Sequence, residues 1–137
     1  MLLIIGFTMI ALLLVTVVVD VSRAFLVQRA LGAAADGAAV SAAGAVDETA
    51  VYTGGVGAGL PLDPEGANGR VAAYVAAGDL TSRFEGFETS QVSVAGDTVT
   101  VTFSSMVRLP FQRVVPGRYR DGVEVIVTAT ARSPVGQ

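Results

Sequence analysis

The chain has 137 residues, a net charge of −3 and 52% hydrophobic residues, and it contains no Cys, His or Trp. That inventory excludes a disulfide framework, a thiolate nucleophile, an imidazole base and the usual zinc sites. A mean hydropathy of +0.62 belongs to a membrane-anchored chain rather than a cytosolic one.

From Leu2 to Val19 no residue is charged, and only Gly6, Thr8 and Thr16 interrupt the aliphatic side chains. At 1.5 Å per residue the stretch spans roughly 27 Å, close to the roughly 30 Å hydrocarbon core of a bilayer. It shows no polar face, as a helix at the surface of a soluble core would. A secretory signal is the competing reading, but the run exceeds the usual 7–15 apolar residues and no basic residue precedes it. The following residues, to about Val46, are so rich in Ala that the helix has little reason to stop where lipid does. The sequence therefore predicts one helix from residue 2 to about 45, with its first half in membrane and its second in water or protein.

Four charges punctuate the second half. Asp20 and Arg23 form an i,i+3 pair, worth about 0.2–0.5 kcal/mol when exposed, and at a membrane boundary the pair costs less than either charge alone. Arg29 and Asp36 follow on later turns. Ala30, Ala34, Ala38 and Ala42 recur every fourth residue, with Ala33, Gly37 and Ser41 beside them. Small residues at that spacing let helix backbones approach closely, so Ala30, Ala34, Gly37, Ala38 and Ala42 are candidate helix-packing positions. The alternative is an exposed stalk in which Ala serves only as a strong helix former.

Residues 47–64, rich in Gly and Pro, read as a linker, and residues 65–137 as a small α+β head. A short helix is expected over about residues 65–77, with Val71, Tyr74, Val75 and, as a marginal member, Ala72 on its apolar face and Gly78 ending it. Beyond it, Gln91–Ala95 alternates Val92 and Val94, Gly96-Asp97 turns the chain, and Thr98–Arg108 alternates Val99, Val101 and Phe103 with threonines. In Val123–Arg132, Val123, Val125, Val127, Ala129 and Ala131 share one face, as in a sheet with one side buried and one wet. The intervening loop, Val107–Gly122, mixes Leu109, Phe111, Val114 and Val115 with Arg108, Arg113, Arg118 and Arg120. It either touches lipid headgroups or a neighbouring helix, or folds over its own sheet.

Charge is unevenly spread: residues 1–46 sum to zero, residues 47–97 carry eight acids and two arginines, and residues 98–137 two acids and five arginines. Such a head has complementary parts for docking against copies of itself, or simply an uneven solvated surface. Taken alone, Arg23 and Arg29 on the C-terminal side of the apolar run place the head in the cytoplasm. The β-rich, Thr-rich, Lys-free head suits an exterior location.

Catalytic and ligand motifs do not appear. The twelve carboxylates form no calcium loop. Gly54–Gly59 neither follows a strong strand nor opens a helix, and no Lys is present for a phosphate loop. The Arg108–Arg120 cluster in an acidic chain is a thin case for nucleic acid. The expectation is a protein that is not an enzyme, with no cofactor, metal, nucleic acid or small-molecule substrate.

The run VDVSRAFLVQRALGAAADGAAVSAAGA resembles the N-terminal helix of TadE/TadG-like proteins of tight-adherence (Flp-type) pilus systems. The matching positions are Val19, Asp20, Ser22, Arg23, Phe25, Arg29, Leu31, Ala34, Ala35, Asp36, Ala38, Ala39, Ala42 and Ala43. They span about a third of the chain, and two Val/Thr strands around a Leu-Pro-Phe loop agree in style. Counted from Met1, the fifth residue is Ile5, where type IV-like prepilins usually carry Glu.

The resemblance implies a pilin-like α+β fold, with a long transmembrane and stalk helix carrying a small antiparallel β-sheet head. It implies a structural role as a minor pilin or pseudopilin, in the cytoplasmic membrane as a single-pass protein with an extracytoplasmic head, or in a cell-surface pilus. Its partners would be the bilayer and other pilin or pilus-assembly subunits, with Asp20, Arg23, Arg29 and Asp36 fixing helix register. Two alternatives stand beside it: a monomeric membrane-tethered binding or adhesion module, and an accessory scaffold of the secretion machinery that never enters a fibre.

Overall fold

The computed structural model describes residues 1–45, 52, 62–109 and 122–133. Helix α1 runs unbroken over Leu2–Ala43, 42 residues and about 62 Å long. Its apolar half carries two hydroxyls, and both are satisfied within the helix: Thr8 Oγ1 donates to the Ile4 carbonyl at 2.8 Å and Thr16 Oγ1 to the Leu12 carbonyl at 2.9 Å. Back-bonding of this kind lets Thr lie in an environment that offers no water.

The helix changes character near Leu31. Before it, no residue is buried, and only Thr16, Asp20, Ala24 and Val27 are half-buried; from it onward one face is covered, with Leu31, Ala34, Ala35, Ala38, Ala39, Ala42 and Ala43 all buried. These residues recur at helical spacing. Because six of the seven are Ala, the elements packed on them come close to the α1 backbone.

Helix α2, Pro64–Ala77, crosses this face. Asp63 caps it, accepting from the backbone N–H groups of Glu65 at 3.1 Å and Gly66 at 2.9 Å, and Pro64 occupies the first turn. Such a cap contributes about 1 kcal/mol. Gly78 ends the helix as expected. Val71 is buried and Tyr74 and Val75 half-buried, whereas Ala72 is exposed, and Ala67 supplies a further buried contact. A one-turn helix follows, α3 at Leu80–Arg83. The sequence did not announce it, because its helix-forming run is only four residues long.

Three strands form an antiparallel sheet in the order β1-β2-β3: β1 Glu88–Ala95, β2 Thr98–Val107 and β3 Val123–Arg132. The turn residues are Gly96 and Asp97, with Ala95 paired to Thr98 and Gly96 at φ +64°. A positive φ at the first loop position alone is the demand of a type II′ hairpin, which Gly meets without strain. Strand β1 begins at Glu88, earlier than the expected Gln91. A bulge between Thr89 and Gln91 shifts the pairing and breaks the two-residue alternation from which the strand was read. On the inner face Val99, Val101, Phe103 and Val107 of β2 and Ala129 of β3 are buried, while Val125, Val127 and Ala131 are half-buried. Val123 lies at the rim, exposed. The outer face carries cross-strand hydroxyl pairs, Thr102–Thr128 at 3.1 Å and Thr100–Thr130 at 3.4 Å.

The sheet lies alongside α1 rather than on top of it. At one end, the Asp63 N–H donates to the Ala45 carbonyl at 3.1 Å and the Leu62 N–H to the Gly96 carbonyl at 3.4 Å. The end of α1, the start of α2 and the hairpin tip therefore meet there. At the other end, Val107 of β2 and Arg23 and Val27 of α1 line one cleft. Arg23 to Ala45 covers about 33 Å of helix, and the ten residues of β2 cover about 30 Å. The two lengths match, so β2 runs back along α1 toward its apolar half. Phe103, fully buried, sits midway and meets Phe87 edge-on at 5.0 Å between ring centroids.

The expected linker 47–64 lies largely outside the described residues, as does the greater part of the Val107–Gly122 loop with Phe111, Arg113, Arg118 and Arg120.

Candidate assembly interface

The surface available for association begins with the apolar half of α1. Its most apolar 18-residue window has a mean hydropathy of 3.0, and none of it is buried. The core helix of a soluble protein would be covered by its own chain. Here Leu3 is 85% exposed and Leu12 63%, far more contiguous apolar surface than soluble monomers display. Thirteen Leu, Ile, Phe and Val residues between Leu2 and Val19, at roughly 0.3–0.6 kcal/mol each, favour insertion by about 4–8 kcal/mol. The helix continues without a break from this segment into the Ala face that carries the head.

The four charges do not share one face. At about 100° of rotation per residue, Asp20 and Arg23 lie on the side of α1 that faces the head, and Arg29 and Asp36 lie on the opposite side. Arg23, Arg29 and Asp36 are exposed and Asp20 is half-buried. Among the described residues Asp20 and Arg23 form no ion pair, and Asp20 Oδ1 is shielded from solvent with no hydrogen-bond partner.

Of the small residues, Ala34, Ala38 and Ala42 are buried beneath the chain's own head and Gly37 is half-buried, while Ala30 is exposed. Gly37 marks the closest crossing. A Cβ built there would overlap the hydroxyl end of the Tyr74 ring from α2. The outward face of the second half of α1 is formed instead by Ser22, Phe25, Leu26, Arg29, Ala33, Asp36 and Val40, all exposed.

Sequence reasoning missed the cleft between α1 and the base of the sheet. It has a volume of about 160 Å³ and is lined by Arg23 and Val27, Arg83–Glu85, and Ser105–Arg108. Arg108 Nη2 bonds Glu85 Oε1 at 2.9 Å, and the Glu85 carbonyl accepts from the Met106 N–H at 2.8 Å and from Ser105 Oγ at 3.0 Å. Arg83 stands over the Phe84 ring at 5.8 Å. No local signal joins positions 23, 83 and 108; only the return of β2 along α1 brings them together.

Residues 1–45 match the family model described as putative Flp pilus-assembly TadE/G-like. The matched segment is α1 with Met1 before it and Gly44 and Ala45 after it, and excludes the head. The match supports a Tad pilus-associated assembly component, and the family is one of pilus assembly rather than of enzymes. Together with the single uncovered apolar helix it is consistent with anchoring in a membrane. Comparison with curated proteins and with solved structures finds no match.

Proposed function

We propose that the protein is a minor pilin or pseudopilin of a Tad-type pilus, held in the cytoplasmic membrane by one pass of α1 with its head on the extracytoplasmic side. Residues 1–46 act as anchor and assembly helix and residues 65–137 as the head. The observation that carries this reading is the uncovered apolar half of α1, which lies within the TadE/G-like segment, residues 1–45. Lipid surrounds Leu2–Val19 before assembly, and helices of other pilin or pilus-assembly subunits surround it afterwards.

In this reading Asp20, Arg23, Arg29 and Asp36 fix the axial register. An unpaired charge in a dry helix bundle is strongly disfavoured, whereas a paired one selects an offset. Asp20, with a carboxylate oxygen that has no partner among the described residues, is the group we assign a partner from another chain. Arg29, turned away from its own head, is free to meet it when a neighbouring copy is displaced by about 13 Å along the axis. Offsets that set Asp20 against Asp36 are rejected by like charge. Asp20→Arg is expected to abolish recovery of the protein in filaments, and adding Arg29→Asp to restore it. Normal recovery of the single variant would sink the register assignment.

A second reading has its own observation. Ala34, Ala38 and Ala42 are already used by the chain's own head, which favours a membrane-tethered binding module or machinery scaffold with α1 as an anchor alone. In that case Asp20→Arg leaves function intact as long as the protein stays in the membrane.

A further inference from the structure

The cleft at the base of the sheet has the composition of an anion site. Among the described residues, Arg23, Arg83 and Arg108 line it with one carboxylate, Glu85, which is paired to Arg108 at 2.9 Å. Among the described residues neither Arg23 nor Arg83 has an ion-pair partner. Among the described residues the cleft side chains therefore sum to about +2, with two guanidinium groups that have no carboxylate partner there, and their planar forks match phosphate oxygens in pairs. Its volume of about 160 Å³ has room for several water-sized groups. Val27, Phe84, Met106 and Val107 supply apolar walls beside the charges.

Depth decides which phosphate. Arg23 lies four residues beyond Val19, about 6 Å further along the axis. With Leu2–Val19 in hydrocarbon, this is the headgroup layer. On the outer side of the same turns Val21, Phe25 and Leu26 are about 60% exposed, apolar groups suited to the same interfacial depth. We propose that this cleft binds the phosphate of an anionic phospholipid headgroup, with Arg23 and Arg83 holding the phosphate oxygens and the Arg108–Glu85 pair fixing one wall. The bound lipid seats the base of the head on the membrane surface and sets the tilt of the sheet against α1. The assignment rests on α1 crossing the bilayer through Val19, not on entry into a filament.

The test uses the full chain in nanodiscs of equal phosphatidylglycerol and phosphatidylcholine, with native mass spectrometry counting the lipid retained. One unengaged arginine near the surface is worth roughly a fivefold preference for anionic lipid. Arg83→Gln should lower the phosphatidylglycerol preference about fivefold and Arg23→Gln with Arg83→Gln should remove it. Arg83→Lys should keep most of it, and Arg132→Gln, at the hairpin-tip end of the sheet, should leave it unchanged. Equal preference in the wild type and the double variant overturns the site. Displacement of lipid by millimolar inorganic phosphate overturns the lipid assignment in favour of a soluble anion. Failure of the wild type to enter nanodiscs overturns the membrane placement of α1, and this assignment with it.

Discussion

At the scale of single residues, the join between anchor and head depends on a glycine. Gly37 lies where α2 crosses α1, with the Tyr74 hydroxyl in the space a Cβ would fill. An alanine there is met by the far end of a side chain that can swing aside, but a larger residue must displace the ring and part α2 from the Ala face. Gly37→Leu is expected to destabilise the head by about 1–3 kcal/mol, lowering its thermal midpoint in detergent by several degrees. Tyr74→Ala in the same chain should recover part of that loss, since the two side chains then compete for one space. Additive losses would show that the crossing does not depend on this contact. The sequence placed Gly37 among the helix-packing residues and Tyr74 on the inner face of α2. It could not pair them, because their 37-residue separation carries no periodic signal.

At the scale of elements, α1 is two helices in one: a half that needs lipid and a half that needs the head. The apolar half favours insertion by about 4–8 kcal/mol, and each arginine near the midplane costs about 2.5–3.5 kcal/mol while removing an apolar contribution. One such substitution weakens insertion, and two offset most of it. Ile10→Arg with Leu13→Arg is expected to shift the protein from the carbonate-resistant membrane pellet to the soluble or aggregated fraction, whereas wild-type protein stays in the pellet. Retention of the double variant would mean that α1 does not hold the protein in the membrane.

Where one rule governed an element, the sequence sufficed. The unbroken apolar run, the Ala background, the Gly78 stop, the Gly96-Asp97 turn and the Val/Thr alternation each have a single physical reading. Where two rules competed, it did not. The bulge after Thr89 defeats a period of two, and Leu80–Arg83 is too short for a period of 3.6 to register. The Ala face could serve another subunit or the chain's own sheet, because small residues permit close approach without naming the partner. Arg23, Arg83 and Arg108 meet only after β2 has run the length of the head.

At the scale of the whole molecule, the head hangs beside the second half of α1, with the base of its sheet toward the apolar half of the helix and the hairpin tip away from it. This leaves an outward strip of helix, from Ser22 to Val40, running on from the uncovered apolar segment. A neighbouring helix can follow that strip from membrane to head without displacing the Ala contacts, and Arg29 and Asp36 lie on it. In the proposed assembly this strip carries the Arg29 that meets Asp20, on the head-facing side, of a neighbouring copy. The most direct measurement of this account is to shear the producing cells and follow the protein by immunoblot and negative-stain microscopy. The account predicts that it leaves with the filaments, in smaller amounts than the principal subunit. Retention of all the protein in the detergent-soluble membrane fraction, with filaments shed normally, would contradict it.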